Sequence, residues 1–326
     1  MKTDKHIYLA PFQGVTTYTF REIYSKYFQG IDKLFTPFFT SVHKTNTLAK
    51  RGRDLEFQYQ NKIEVVPQIL SKDASEILRF ANYCHDKGFK EINWNLGCPY
   101  PRVANKKRGS GLLPFPNEID DILNQIDNDL KLKFSVKCRL GYFSEDEIFP
   151  LIDVFNKHKI SELTIHARIG KQLYKGEVKA DVFEKIIDLC NIPLVYNGDI
   201  FTSEDFIKFD NNFKTIDKWM IGRGLLRNPF LPAIIKNMEV PDKENQKSYI
   251  YKFVTDLYLS YLKKMNGRPH VINVMKEYCS FLSYSFNNQQ KVFNLIKKTK
   301  SPEEYENAVA FVFDTFEWMG NETLKN

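Results

Sequence analysis

The chain has 326 residues, 43% of them hydrophobic, and 47 lysines and arginines outweigh 40 aspartates and glutamates to give a net charge of +7. No apolar run approaches the roughly 20 residues that span a bilayer, and the N-terminal MKTDKHIYLAPF lacks a secretory apolar region, so neither a membrane-spanning helix nor a secretory signal is expected. Five scattered cysteines (Cys84, Cys98, Cys138, Cys190, Cys279) without a C-x-x-C pair argue against a disulfide framework or zinc site and for a reducing cytoplasm, and no metal is expected.

Taken in chain order, short β-rich segments recur through the first two-thirds: Ile7–Gln13, Lys33–Phe38, Glu64–Ile69, Glu91–Leu96, Phe134–Cys138, Glu162–Ala167, Pro193–Asn197 and Lys218–Gly222. Helical patterns fall between them. Ser75–Lys87 carries Ile77, Leu78, Ala81 and Cys84 on one face, with Gly88 as its stop. Ser144–Lys157, Asp181–Cys190 and Ser203–Asp210 follow, with Ser144 and Ser203 as expected N-caps. Eight strands alternating with helices predict an α/β fold, a (β/α)8 TIM barrel. No G-x-G-x-x-G follows the first strand, which weakens a doubly wound dinucleotide fold. Beyond Asn228-Pro229 the strand signals fade, and Tyr249–Lys264, Val271–Ser285 and Glu303–Trp318 read as amphipathic helices. This predicts a barrel over residues 1–238 and a smaller C-terminal all-helical domain over 239–326, joined through the polar KNMEVPDKENQK.

Barrels of this kind keep their chemistry where strands end. Strand one runs out at Pro11-Phe12-Gln13-Gly14, strand three at Gln68, and strand four at Asn95 and Cys98. Strand five ends at Lys137 and Arg139, and strand six at His166 and Arg168. Strand seven ends at Asn197-Gly198-Asp199 and strand eight at Gly222-Arg223-Gly224. Glycines at these last two exits let backbone N–H groups approach an anion, the loops there are a recurrent phosphate site, and Arg223 adds a bidentate grip. After Cys98 come Arg102, Lys106, Lys107 and Arg108, with no acidic residue until Glu118, a loop suited to a polyanion. The mild net charge permits a nucleic-acid partner without requiring one. A cysteine is also a small buried hydrophobe, and this segment alone leaves both readings of Cys98 open.

The segments LAPFQGVTTYTFR, VVPQI, INWNLGCP with GSGLL, SVKCRLG, ELTIHAR, IPLVYNGDI and MIGRGLL together resemble the tRNA-dihydrouridine synthase family, and PHVINVMKEYCSFL is most similar to its bacterial C-type branch. The resemblance implies a monomer with an FMN-containing barrel and a helical RNA-binding domain. It also implies NADPH- or NADH-dependent reduction of a uridine C5–C6 bond in tRNA, with position 16 of the D-loop as the target. Cys98 is then the general acid that protonates C5. Pro11, Phe12, Gln13, Gln68, Lys137, His166, Asn197, Gly198, Asp199, Gly222 and Arg223 hold the FMN, with a structural role for His166 as the alternative. Asn95, Arg102, Lys106, Lys107, Arg139, Arg168 and Lys276 serve the tRNA, Asn95 by orienting either the uracil or the Cys98 loop.

The chain departs from that pattern in two places. Glu277 stands where other branches tend to carry a basic residue, and the C-type arginine near the end of strand two is absent from PFFTS. Both bear on which uridine is modified and leave 20 or 20a open. An FMN oxidoreductase acting on a free pyrimidine and a non-catalytic tRNA-binding protein are the competing expectations.

Overall fold

The computed structural model describes residues 5–42, 48, 52–56, 59–60, 62–265 and 268–320. Ten strands form its sheet: β1 (His6–Leu9), β2 (Lys33–Phe35), β3 (Tyr59–Gln60), β4 (Ile63–Val66), β5 (Gln68–Ile69), β6 (Glu91–Leu96), β7 (Lys133–Gly141), β8 (Ile160–Ile169), β9 (Leu194–Asn197) and β10 (Lys218–Ile221). Their order is β3-β4-β2-β1-β10-β9-β8-β7-β6-β5, and every pairing except β3–β4 is parallel. β4 and β5 lie far apart in that order yet only Pro67 separates them in the chain. Proline has no N–H to give a ladder. On one side of it Thr36 N donates to Val66 O (3.0 Å), and on the other Asn93 N donates to Pro67 O (2.8 Å). The two pieces are halves of one stave, and the sheet closes as the eight-stranded barrel expected from the sequence.

Helices cover the outside: α1 (Tyr18–Tyr27), α2 (Ala74–Asp86), α3 (Pro101–Ala104), α4 (Pro116–Ile126), α5 (Ile148–Phe155), α6 (Ala180–Leu189), α7 (Ser203–Asn212), α8 (Arg223–Arg227) and α9 (Leu231–Ile235). Ile77, Phe80, Ala81 and Cys84 of α2 are buried at helical spacing, and the Asp73 carboxylate caps it by accepting from the N–H groups of Ser75 and Glu76. Ser144 caps as expected, but on a 3-10 turn, Glu145–Glu147, before α5 begins. The cap of α7 is Thr202 rather than Ser203, because Thr202 closes a reciprocal box with Asp205.

Four further helices follow: α10 (Lys243–Lys264), α11 (Arg268–Leu282), α12 (Gln289–Lys297) and α13 (Pro302–Thr315). The three stretches singled out in the sequence do not include α12, where Val292 and Ile296 are buried and Phe293 and Leu295 half-buried. Aromatic rings seam this region to the barrel. Phe28 lies 4.9 Å from Phe253 of α10, and Phe20 of α1 lies 5.3 Å from Tyr278 of α11. Among the described residues no helix is long and apolar enough to cross a membrane.

Inside the barrel a file of polar side chains runs from one end to the other. At the N-terminal end Lys33 Nζ donates to Glu91 (2.8 Å) and Glu162 (2.9 Å), and Tyr8 OH donates to Glu162 (3.1 Å). Ser135 Oγ donates to Glu91 (2.6 Å), Asn93 Nδ2 to Ser135 (2.9 Å), Gln68 Nε2 to Asn93 (2.8 Å) and Asn95 Nδ2 to Gln68 (2.7 Å). Each member donates toward the Glu91 carboxylate, which can only accept. The last amide of the file therefore turns its oxygen to the C-terminal mouth.

Candidate active site at the C-terminal mouth of the barrel

That oxygen holds the Cys98 loop. Asn95 Oδ1 accepts from the N–H groups of Gly97 (3.0 Å) and Cys98 (2.9 Å). The Cys98 carbonyl accepts from Ser110 N and Oγ, both at 3.1 Å. Gly109 lets the returning chain pass: its φ is +56°, and a Cβ there would lie 2.6 Å from the Cys98 oxygen. The Cys98 thiol is 8% exposed and faces a cavity of about 410 Å³, within the roughly 300–1,000 Å³ usual for small-molecule sites. Burial pushes the thiol above its ordinary pKa, and the Tyr100 N–H with Arg139, Arg102 and Lys137 only partly offsets this. At neutral pH it carries its proton.

A second cavity, of about 60 Å³, adjoins the first and shares Pro11, Phe12, Lys137, His166, Tyr174 and Arg223 with it. The exits of β9 and β10 close its far end through Asn197, Gly198, Asp199, Gly222 and Arg223. A Cβ on Gly222 would lie 2.9 Å from the Phe12 ring, so glycine is what admits that ring to the wall. The Asp199 carboxylate is gripped by Arg168 from within the barrel wall and by Arg223 (2.7 Å) from α8. Arg223 is thereby fixed at the cavity edge with its guanidinium over Tyr174.

Between the thiol and this end lie Lys137 and His166. Lys137 Nζ donates to Asn197 Oδ1 (3.0 Å) and has no carboxylate partner among the described residues. Burial, reinforced by Arg139, pushes its pKa down to about 8. Burial and four surrounding cations hold His166 well below the usual histidine value, so it is neutral. Its Nε2 accepts from Arg168 Nη1 (3.3 Å), which leaves the proton on Nδ1. The mouth thus gathers cationic side chains, a protonated thiol and an apolar wall of Pro11 and Phe12, with Gln13 at the rim.

The other expected residues divide between the cavity wall and the surrounding structure. Gln68 is fully buried, lines neither cavity and joins Asn93 to Asn95 within the polar file. Arg139 faces the larger cavity and donates to the carbonyls of Gly97, Ile169 and Leu173, tying the Cys98 loop to the end of β8 and the loop after it. Arg168 is 1% exposed and pairs with Asp199. Lys107 pairs with Glu118 (2.9 Å) and lies over the Phe115 ring. Lys276 donates to the Thr299 carbonyl inside the helical region, and its neighbour Glu277 borders the larger cavity instead. Arg102 borders the cavity and Lys106 is exposed a turn later. The sequence reading missed Tyr174, from the loop after β8, and Phe281 of α11, whose ring meets Phe12 edge-on at 5.5 Å. Neither carries a sequence signal, since a lone aromatic in a loop or on a helix reads as packing.

A family model described as "Dihydrouridine synthase (Dus)" matches residues 8–316. The chain is 30% identical over 237 residues to tRNA-dihydrouridine synthase B of Pasteurella multocida, covering 71% of this chain and 69% of that protein. It is 27% identical over 324 residues to the tRNA-dihydrouridine(16) synthase of Neisseria meningitidis serogroup B, covering 95% of each. Among solved structures, the old yellow enzyme homologue of Zymomonas mobilis superposes with a TM-score of 0.53 at 10% identity, over 73% of this chain and 90% of that one. This likeness concerns the barrel fold alone.

Proposed function

Because the chain belongs to the dihydrouridine synthase family, we propose that it reduces the C5–C6 bond of a uridine in tRNA to dihydrouridine, with FMN as its flavin and NADPH or NADH as reductant. The observation that carries this reading is one continuous space with a protonated thiol at one side and a clamped arginine at the other. The residues fit FMN. Arg223 and the glycine-bearing exits of β9 and β10 suit its phosphate, Pro11 and Phe12 give a flat apolar wall, and Lys137 brings a cation that lacks an anion. Bound there, FMN supplies the hydride that uracil C6 accepts.

The chain's own residues do the rest. Cys98 Sγ holds the proton that C5 needs, and burial keeps it on sulfur until carbanion character develops at C5. Asn95 fixes the thiol's loop through two backbone N–H groups. Lys137, held by Asn197, favours negative charge on the ring system beside it. A uridine must leave its stack to enter the cavity, at a cost of a few kcal/mol, and Arg102 and Lys106 on the rim offset this through phosphate contacts. We assign position 16 as the target, in line with the C-type resemblance.

The test is the absorption spectrum of the purified protein, followed by reduction with NADPH and reoxidation by unmodified tRNA. Flavin bands that bleach and then recover with tRNA are expected, with dihydrouridine mapped at position 16. Cys98→Ala is expected to keep its flavin and lose about 10²–10⁴-fold in product formation. Reoxidation by free uracil or orotate but not by tRNA would overturn the reading.

A further inference from the structure

One row of side chains starts at the cavity and runs on beyond it, and its outer members play no part in the reaction above. Tyr174, Arg223, Phe201, Arg227 and Tyr284 alternate rings with guanidinium groups. Arg223 Cζ lies 4.9 Å from the Tyr174 ring centre and 5.1 Å from that of Phe201. Arg227 Cζ lies 4.4 Å from Phe201 and 3.8 Å from Tyr284. The two arginines sit one turn apart on α8 and share the ring that the loop after β9 inserts between them. Tyr284 comes from the 3-10 turn Ser283–Ser285 after α11, so the row ends where barrel and helical region meet.

The two guanidinium groups differ in what they meet. Arg223 has Asp199. Arg227 has no carboxylate partner among the described residues, its Nε is buried without an acceptor, and only the two rings fix its plane. The acid whose field reaches it, Asp199, is already held by Arg168 and Arg223. Burial and the Arg223 charge push Arg227 down to about 10, the mark of a cation without its counterion. With both faces covered, the Nη edge remains for a ligand, and a guanidinium edge suits the paired oxygens of a phosphate.

We propose that Arg227 is a second phosphate-binding position, one helical turn beyond Arg223. A ligand filling the two cavities meets Arg223 but not Arg227, which lines neither. The favoured source is therefore a backbone phosphate of the RNA, which rests on the tRNA reading above; the other source of the same chemistry is a phosphate of the nicotinamide nucleotide.

The experiment compares wild type with Arg227→Gln for affinity toward an unmodified tRNA transcript across salt concentrations, for FMN affinity, and for the KM of NADPH. Expected are a tRNA affinity about five- to tenfold lower at low salt, a slope of log K against log salt reduced by about one, and unchanged FMN affinity. A merely structural stacking residue would not move the slope. A raised KM for NADPH with tRNA binding unchanged supports the site with the nucleotide as its source. Unchanged tRNA affinity, slope and KM together overturn it. Arg227→Lys keeps the charge without the planar fork and serves if the glutamine variant does not fold. Its expected loss is about two- to threefold in affinity at constant slope, and unaltered tRNA affinity and KM would overturn the proposal. If wild type itself fails to bind tRNA, the tRNA reading falls and Arg227 is judged on the NADPH arm alone.

Discussion

Two lysines occupy the barrel interior, one near each end, and their surroundings are opposites. Lys33 at the N-terminal end meets Glu91 and Glu162. Burial pulls its ammonium down, but the two carboxylates together outweigh burial and hold it above the ordinary lysine value. Lys137 at the C-terminal end meets only the Asn197 amide, and burial takes it down to about 8. The lower charge is matched within the fold; the upper one is left for something the fold does not contain. Barrels place stability at one face and chemistry at the other, and here the division is written in which lysine has an internal partner.

Breaking the matched pair should cost most. Lys33→Met leaves two buried carboxylates facing each other, and a loss of about 3–5 kcal/mol in denaturant-measured stability is expected, with flavin uptake by the folded fraction unchanged. Lys137→Met should do the reverse. Stability is expected to hold or rise, because an uncompensated buried charge is removed, while FMN affinity falls by about 1.5–3 kcal/mol. A Lys137 variant that loses stability and keeps normal flavin affinity would erase the contrast.

Titration sharpens it further. Lys137 gives up its proton as pH rises through about 8 in the ligand-free protein. Since its folded pKa lies below the unfolded value, the cost of burying its charge is present at neutral pH and is relieved above 8. An anionic ligand restores the proton, so calorimetry of FMN binding in buffers of different ionisation enthalpy is expected to show proton uptake of up to about one at pH 8.5–9. Lys33, with its raised value, contributes stability below the unfolded lysine pKa and loses it only as pH rises through the folded one. It does not titrate in the window where Lys137 does. The smallest effect is at the surface. Lys106 is exposed and without a partner among the described residues, whereas Lys107 is tied to Glu118. Lys106→Ala is expected to lower tRNA affinity about two- to threefold with a shallower salt slope, and Lys107→Ala to leave both nearly unchanged.

The barrel was legible because each buried stave shows as a short apolar run; β6 over Glu91–Leu96 matches residue for residue. Strand ends drifted where pairing outlasts hydrophobicity, as in β7, which continues through Arg139 to Gly141. Cys98, Lys137, His166, Asn197 and Arg223 converge because strand ends share one face of a barrel. The intramolecular partners of Arg139, Arg168, Lys107 and Lys276 were not legible from charge. A basic residue looks the same in sequence whether it meets RNA, a backbone carbonyl or a carboxylate, and the partner of Arg168 lies 31 residues away. The place of Gln68 in the polar file was likewise not legible, because its neighbours Asn93 and Asn95, which use both ends of its amide, lie 25 and 27 residues away.

The polar file through the barrel has a further consequence. Gln68 and Asn93 are sealed from water, and Asn95 sits at the upper boundary with the Cys98 loop hung from it. Their side-chain amide protons are natural clocks for opening. Those of Gln68 and Asn93 can exchange with deuterium only when the barrel itself parts, whereas the Asn95 protons can also exchange when the thiol's loop lifts, so the gap between the two rates measures how often the mouth opens while the barrel stays shut.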